Sequence, residues 1–162
     1  MPLLNYTTSI SVEKTIGEIE KMLSQSGAEK IVKDYDEEGN CTSIGFIINT
    51  EKGKLPFKLP MNLNAVMQTI NNQTGERRNT KYGQQRLIPK KFYNDKEQSA
   101  RVGWRIIRDW LEAQLALYFL QMVKVEEIFL PYMYNENLGK TMFQMLEEKG
   151  FNNMQIENNR VD

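Results

Sequence analysis

From about Asp95 to Met122 the sequence carries a helical repeat that the rest of the chain has to accommodate. Ile106, Ile107, Trp110, Leu111, Gln114, Leu117 and Tyr118 fall on one face, and Arg101, Arg105, Arg108 and Glu112 on the opposite one. Past Gln114 the polar face disappears, because Leu115 and Phe119 occupy the same side as the arginines. The spacing therefore predicts that the second half of this helix is wrapped on all sides or sits at an interface.

The first half of the chain alternates as an α+β unit does. Tyr6 to Ile10 reads as a short strand. Ser11 reads as the N-cap of a helix over 12–25, with Val12, Ile16, Ile19, Met22 and Leu23 at helical spacing and Gly27 at the far end. Glu29 to Tyr35 and Thr42 to Asn49 read as strands joined by an acidic turn, Asp36 to Asn40. Lys52-Gly53 turns the chain into a third strand ending near Leu59. Pro60 then opens a short helix carrying Leu63, Val66, Met67 and Ile70. Asn71 to Asn94, rich in Asn, Gln, Gly, Arg and Lys, reads as a long loop. Beyond the long helix, Val125 to Tyr134 is an apolar, partly helical connection. Thr141 to Lys149 is a last helix stopped by Gly150, and Asn152 to Asp162 is loosely packed. The expected fold is α+β: a small antiparallel sheet (β-α-β-β-β-α) with a C-terminal helical extension that includes one long helix. Its parts are a core unit over 1–74, a basic loop over 75–94 and a helical part over 95–162, packed as a single domain. The helix–three-strand–helix order matches double-stranded-RNA-binding domains in topology only; Pro60 to Asn64 stands where that family carries a basic cluster.

Composition excludes several chemistries. There is no histidine among the 162 residues and only one cysteine, Cys41. Triads that use histidine, imidazole metal ligands, cysteine-rich zinc sites and internal disulfides are all ruled out. Cys41, with no histidine to activate it, reads as a structural thiol. Asp34 to Gly39 imitates a calcium loop but has Gly45 where the bidentate glutamate belongs, so a hairpin turn is the better reading. Gly139-Lys140-Thr141 matches the end of a phosphate-binding loop, but Tyr134 stands at the first glycine. Carboxylate pairs from Asp109 and Glu112, or from Glu126 and Glu127, are explained equally well as solvated helix charges. No catalytic residue, metal ligand or cofactor is expected. Nor is a signal peptide or a membrane span: the first ten residues have no basic segment, and Leu115 to Val123 is too short.

Charge is the feature that stands out. Basic and acidic residues balance at 21 each, yet residues 1–74 carry 7 basic and 9 acidic (−2), 75–110 carry 10 and 4 (+6), and 111–162 carry 4 and 8 (−4). Tyr82, Phe92, Tyr93 and Trp104 are interleaved with the cations of the middle segment. Cations on an arm beside aromatic planes are what phosphate contact and base stacking use. The expected nucleic-acid-binding residues are Arg77, Arg78, Lys81, Arg86, Lys90, Lys91, Arg101, Arg105 and Arg108, with the three helix arginines tracking one phosphate strand. A solvated surface, or a patch meeting an acidic protein, would carry the same charge.

Ser11 to Ile19, Ala100 to Gln114, Phe129 to Met133 and Gly139 to Thr141 resemble small uncharacterised proteins of tailed phages and prophages of Firmicutes-type bacteria. The resemblance spans most of the chain and carries over no catalytic residues. It implies a phage accessory protein acting in the cytoplasm of a bacterial host, in DNA metabolism, host takeover or evasion of defence. The expected function is therefore non-enzymatic: binding a nucleic acid, or a host complex that holds one. The alternative is a protein-binding inhibitor of a host enzyme or defence protein, or a homodimer, with Leu115, Phe119, Phe129 and Tyr132 at the interface. A third reading, a hydrolase using carboxylates and a divalent metal, requires several acids to converge in one cleft.

Overall fold

The computed structural model describes residues 3–75, 78–80, 83–85 and 88–151 of the chain, the two short segments as backbone only. Helix α1 spans Val12–Gln25, with the Ser11 hydroxyl accepting the Lys14 N–H as its cap. Three antiparallel strands follow, β1 (Ala28–Tyr35), β2 (Cys41–Thr50) and β3 (Gly53–Pro60), in the spatial order β1-β2-β3. Helix α2 covers Leu63–Gln73, and a small hairpin of β4 (Arg78–Thr80) and β5 (Gly83–Gln85) precedes the long helix α3 (Lys96–Phe119). A short helix α4 (Val125–Phe129), a two-residue ladder of β6 (Tyr134–Asn135) and β7 (Lys140–Thr141), and helix α5 (Met142–Lys149) complete the order. This is the α+β class expected, with the meander and the long helix in place.

Alternation along the strands decides where the core lies. Ile44, Phe46 and Ile48 of β2 and Phe57 and Leu59 of β3 are each at most 3% exposed and point to one face. On that face lie Ile16, Ile19 and Leu23 of α1, Trp104, Leu111 and Leu115 of α3, and Phe129 of α4. Phe129 meets Phe46 edge-on at 5.1 Å and Phe57 at 5.5 Å. The Trp104 indole N–H donates to the Cys41 carbonyl at 3.3 Å, which ties α3 to the end of β2. A second, smaller core joins Ile70 of α2, Ile88 and Val102 of α3.

Several expectations are corrected. Tyr6 to Ile10 is not a strand: a turn runs from Leu4 to Thr7, and the buried Gln98 amide donates to the carbonyls of Tyr6 and Thr8 at 2.8 and 2.9 Å. A tertiary contact thus takes the place of a ladder. Pro60 ends β3 opposite Ser43 instead of opening α2, as suits a strand terminus that needs no donor. Asn62 caps α2, accepting the Ala65 N–H at 3.0 Å. The supposed loop of 71–94 begins inside α2, contains the β4–β5 hairpin and ends in a single 3₁₀ turn over Lys90–Phe92. Asn152 to Asp162 lies outside the described residues.

The long helix is most enclosed along its first half, not its second. Gln98, Ser99, Ala100, Val102, Gly103 and Trp104 are all buried, so the first half is the wrapped one. Gly103 permits this: a Cβ there would meet Met61 Sδ at 3.0 Å and Val66 Cγ2 at 3.1 Å, so α2 and the end of β3 can approach closely. The C-terminal turn is exposed at Phe119 and Leu120.

That end closes as a Schellman motif, in which the Gln121 N–H donates to the Tyr118 carbonyl and the Met122 N–H to the Leu117 carbonyl. Gln121 sits at φ 58° where glycine is usual. Gln121→Gly is therefore expected to stabilise the protein by about 0.5–1 kcal/mol, the left-handed penalty less the greater chain entropy of glycine. The check is a higher urea midpoint at unchanged m-value.

Candidate functional site

The arginine stripe of α3 faces α1. The Arg105 guanidinium donates to Glu18 Oε2 at 2.9 Å and to the Thr15 hydroxyl at 3.3 Å. Arg108 Nε donates to the same Glu18 oxygen at 2.9 Å, and its Nη atoms reach Asp109 and Glu112. Glu112 and Asp109, by hydrogen bonding, hold the Arg108 guanidinium even more firmly protonated than usual. Arg101 pairs with Glu97 one turn back and reaches Gln98 Oε1. Side-chain exposures of 15% and 19% for Arg105 and Arg108 confirm that their stems are packed between the helices. The stripe expected to track phosphate is thus already paired with four carboxylates.

The remaining cations belong to an arm between α2 and α3. Its base is pinned at two levels. Thr74 and Ile88 form a parallel bridge, with Gly75 N–H donating to the Ile88 carbonyl at 3.1 Å and Ile88 N–H to the Gln73 carbonyl at 2.9 Å. Asn71 and Asn94 are joined by two hydrogen bonds of 2.6 and 2.8 Å. Ile88 is buried at the neck, 1% exposed. Lys90 and Lys91 stand exposed on the 3₁₀ turn, with Lys91 Nζ 4.9 Å above the Phe92 ring. Arg78 contributes backbone to β4; its side chain, and Arg77, Lys81, Tyr82 and Arg86 altogether, lie outside the described residues. Between Gly75 and Lys91 the sequence has six cations and one acid, a net +5.

The four interface residues separate. Phe129 is fully buried and Leu115 is 2% exposed, both in the main core, which removes them from any partner-facing surface. Leu115 interrupts the polar face of the helix and Phe129 lies in the apolar connection after it, but both side chains fill the space over the sheet. Tyr132 is half-buried, edge-on to Trp110 at 5.6 Å. Phe119 alone is open, at 60%, and Leu120 and Met122 join it at 69% and 67%.

Two further constellations had no signal in the sequence. On the outer face of the sheet, Asp34 takes the Ser43 hydroxyl at 2.6 Å and the Lys58 ammonium at 2.8 Å. Lys58, then Ser43, hold the Asp34 carboxyl below the usual carboxylate range, and Tyr134 lies 4.9 Å beneath the ammonium. The second is a cleft of about 410 Å³ between α1, the β1–β2 turn and the start of α3. Ile16, Cys41, Ala100 and Trp104 form its floor and Glu13, Glu20, Lys33, Glu38, Lys96 and Glu97 its rim. Burial pushes the Cys41 thiol up, away from nucleophilic chemistry. Lys33 is shifted up by its bond to Glu20 at 2.7 Å. Asp36 closes the adjacent turn, its carboxyl held down chiefly by the Asn40 N–H at 2.8 Å. Among the described residues no three acids or thiols converge to hold a metal ion, and no helix is long and apolar enough to cross a membrane. Gly139, at φ 63°, belongs to the turn between β6 and β7.

Compared with protein families, curated proteins and solved structures, the chain matches none of them.

Proposed function

We propose that this chain is a non-enzymatic binding protein that grips nucleic acid through the basic arm between α2 and α3. The carrying observation is the contrast between two sets of cations. Those of α3 pair with Glu18, Glu97, Asp109 and Glu112, and the excess positive charge of the sequence gathers in the arm, with six cations to one acid between Gly75 and Lys91. A two-stranded ribbon set on a pinned neck suits contact with a phosphate backbone, and counterion release would supply most of the affinity. The resemblance to phage and prophage proteins supports the role of an accessory protein acting on nucleic acid, or on a nucleic-acid-bound complex, in the bacterial host cytoplasm.

The test is binding of labelled duplex DNA, single-stranded DNA and RNA across a salt series. The expected slope of log K against log salt on duplex DNA approaches about −5, from roughly −0.9 for each of six cations. A flat profile, or no binding at low salt, defeats the proposal. A protein-binding inhibitor or homodimer is the second reading, favoured by the adjoining exposed side chains of Phe119, Leu120 and Met122. Size-exclusion chromatography separates the two: nucleic acid co-elutes at low salt on the first reading, and a salt-resistant dimer appears on the second.

A further inference from the structure

We infer that the cleft between α1, the β1–β2 turn and α3 is a docking groove for an extended cationic peptide segment carrying one apolar anchor residue. The anchor follows from the floor, where Ile16, Cys41, Ala100 and Trp104 are all at most 7% exposed and present an apolar base to a cavity of ligand-binding size. An extended occupant follows from shape. A second, open depression of about 700 Å³, lined by Asp36, Glu37, Asn62 and Leu63, adjoins it at the Glu38–Lys96 ion pair. Glu38 and Lys96 line both depressions, so a chain crossing at their ion pair would use both, while a compact molecule would fill only one.

Charge defines the class of peptide. The combined lining holds six carboxylates (Glu13, Glu20, Asp36, Glu37, Glu38, Glu97) and two ammonium groups (Lys33, Lys96), a net of −4. Glu20 is matched by Lys33, Glu38 by Lys96 and Glu97 by Arg101. Glu13 and Glu37 have no cation among the described residues, and the Asp36 carboxylate is hydrogen-bonded to Asn40 and the Glu38 N–H, with Lys96 its nearby cation. The Glu38–Lys96 pair is itself exposed on both sides, 64% and 57%, and therefore weak, so an incoming cation can replace Lys96 on Glu38. Such a lining repels phosphate, which separates this groove from the arm and makes the two proposals independent.

The probe is a short labelled peptide with one leucine flanked by arginines, titrated into the full-length protein beside a control with glutamines in place of the arginines. Saturable binding of the arginine peptide alone is expected. Glu13→Gln with Glu37→Gln, both at exposed positions, should weaken it about threefold to tenfold. Lys96→Gln should tighten it, because the like charge leaves and Glu38 is freed. Thermal melts confirm folding of each variant, and should the double variant unfold, the sign of the Lys96→Gln effect decides. Equal binding of both peptides, or affinity indifferent to these substitutions, overturns the inference.

Discussion

Truncating Phe129 to alanine is expected to cost about 3–5 kcal/mol, the range for removing a fully buried large aromatic. Phe129 has no exposed surface and touches three other rings, Phe46 at 5.1 Å, Phe57 at 5.5 Å and Trp110 at 6.3 Å. These rings come from β2, β3 and α3, so the side chain clamps the C-terminal part onto the sheet. The cavity left behind cannot collapse easily, because its walls are a ladder-bonded sheet and the middle of a long helix. A domain of this kind has about 5–15 kcal/mol in total, so the variant should be partly unfolded in mild urea. Phe119→Ala is the control: at 60% exposure it should shift stability by no more than about 0.5 kcal/mol. A Phe129→Ala protein with a wild-type urea midpoint would mean that the ring faces a partner after all.

What could be read ahead of the structure was local. Helix α1, the meander and α5 each carry their own start or stop: Ser11 before α1, the acidic turn Asp36 to Asn40 between strands, and Gly150 after α5. Where a distant residue decides, pattern reading failed. Tyr6 to Ile10 has strand-like composition, but its carbonyls are taken by Gln98, some 90 residues later. The β4–β5 hairpin has almost no apolar alternation, since Asn, Thr and Gln fill it, so only its pairing reveals it. The rotation of α3 was misjudged for an electrostatic reason. Periodicity counts an arginine as solvent-facing, yet Glu18 lies 87 residues before Arg105 and buries that face by pairing with it. The acids of the peptide groove, spread from Glu13 to Glu97, share no motif and meet only when α1, the turn and α3 come together.

Two sets of substitutions should separate the cations paired on α3 from those proposed to bind nucleic acid. Replacing Arg101, Arg105 and Arg108 with alanine is expected to cost about 2–4 kcal/mol, between the ranges for exposed and buried pairs. The loss arises because Glu18, with only 30% of its side chain exposed, loses both of its cations while staying against α3. Nucleic-acid affinity, measured where the variant is folded, should keep its salt slope. Replacing Arg77, Arg78, Lys81, Arg86, Lys90 and Lys91 with glutamine should do the reverse. The log–log slope should lose most of its value of about −5, and affinity should fall about 10³-fold or more at low salt. Melting should move by less than about 4 °C, since the neck that pins the arm is made by Asn71, Asn94, Thr74 and Ile88. A glutamine variant that melts early and keeps its slope, beside an alanine variant that folds normally and loses it, would reassign the site to α3.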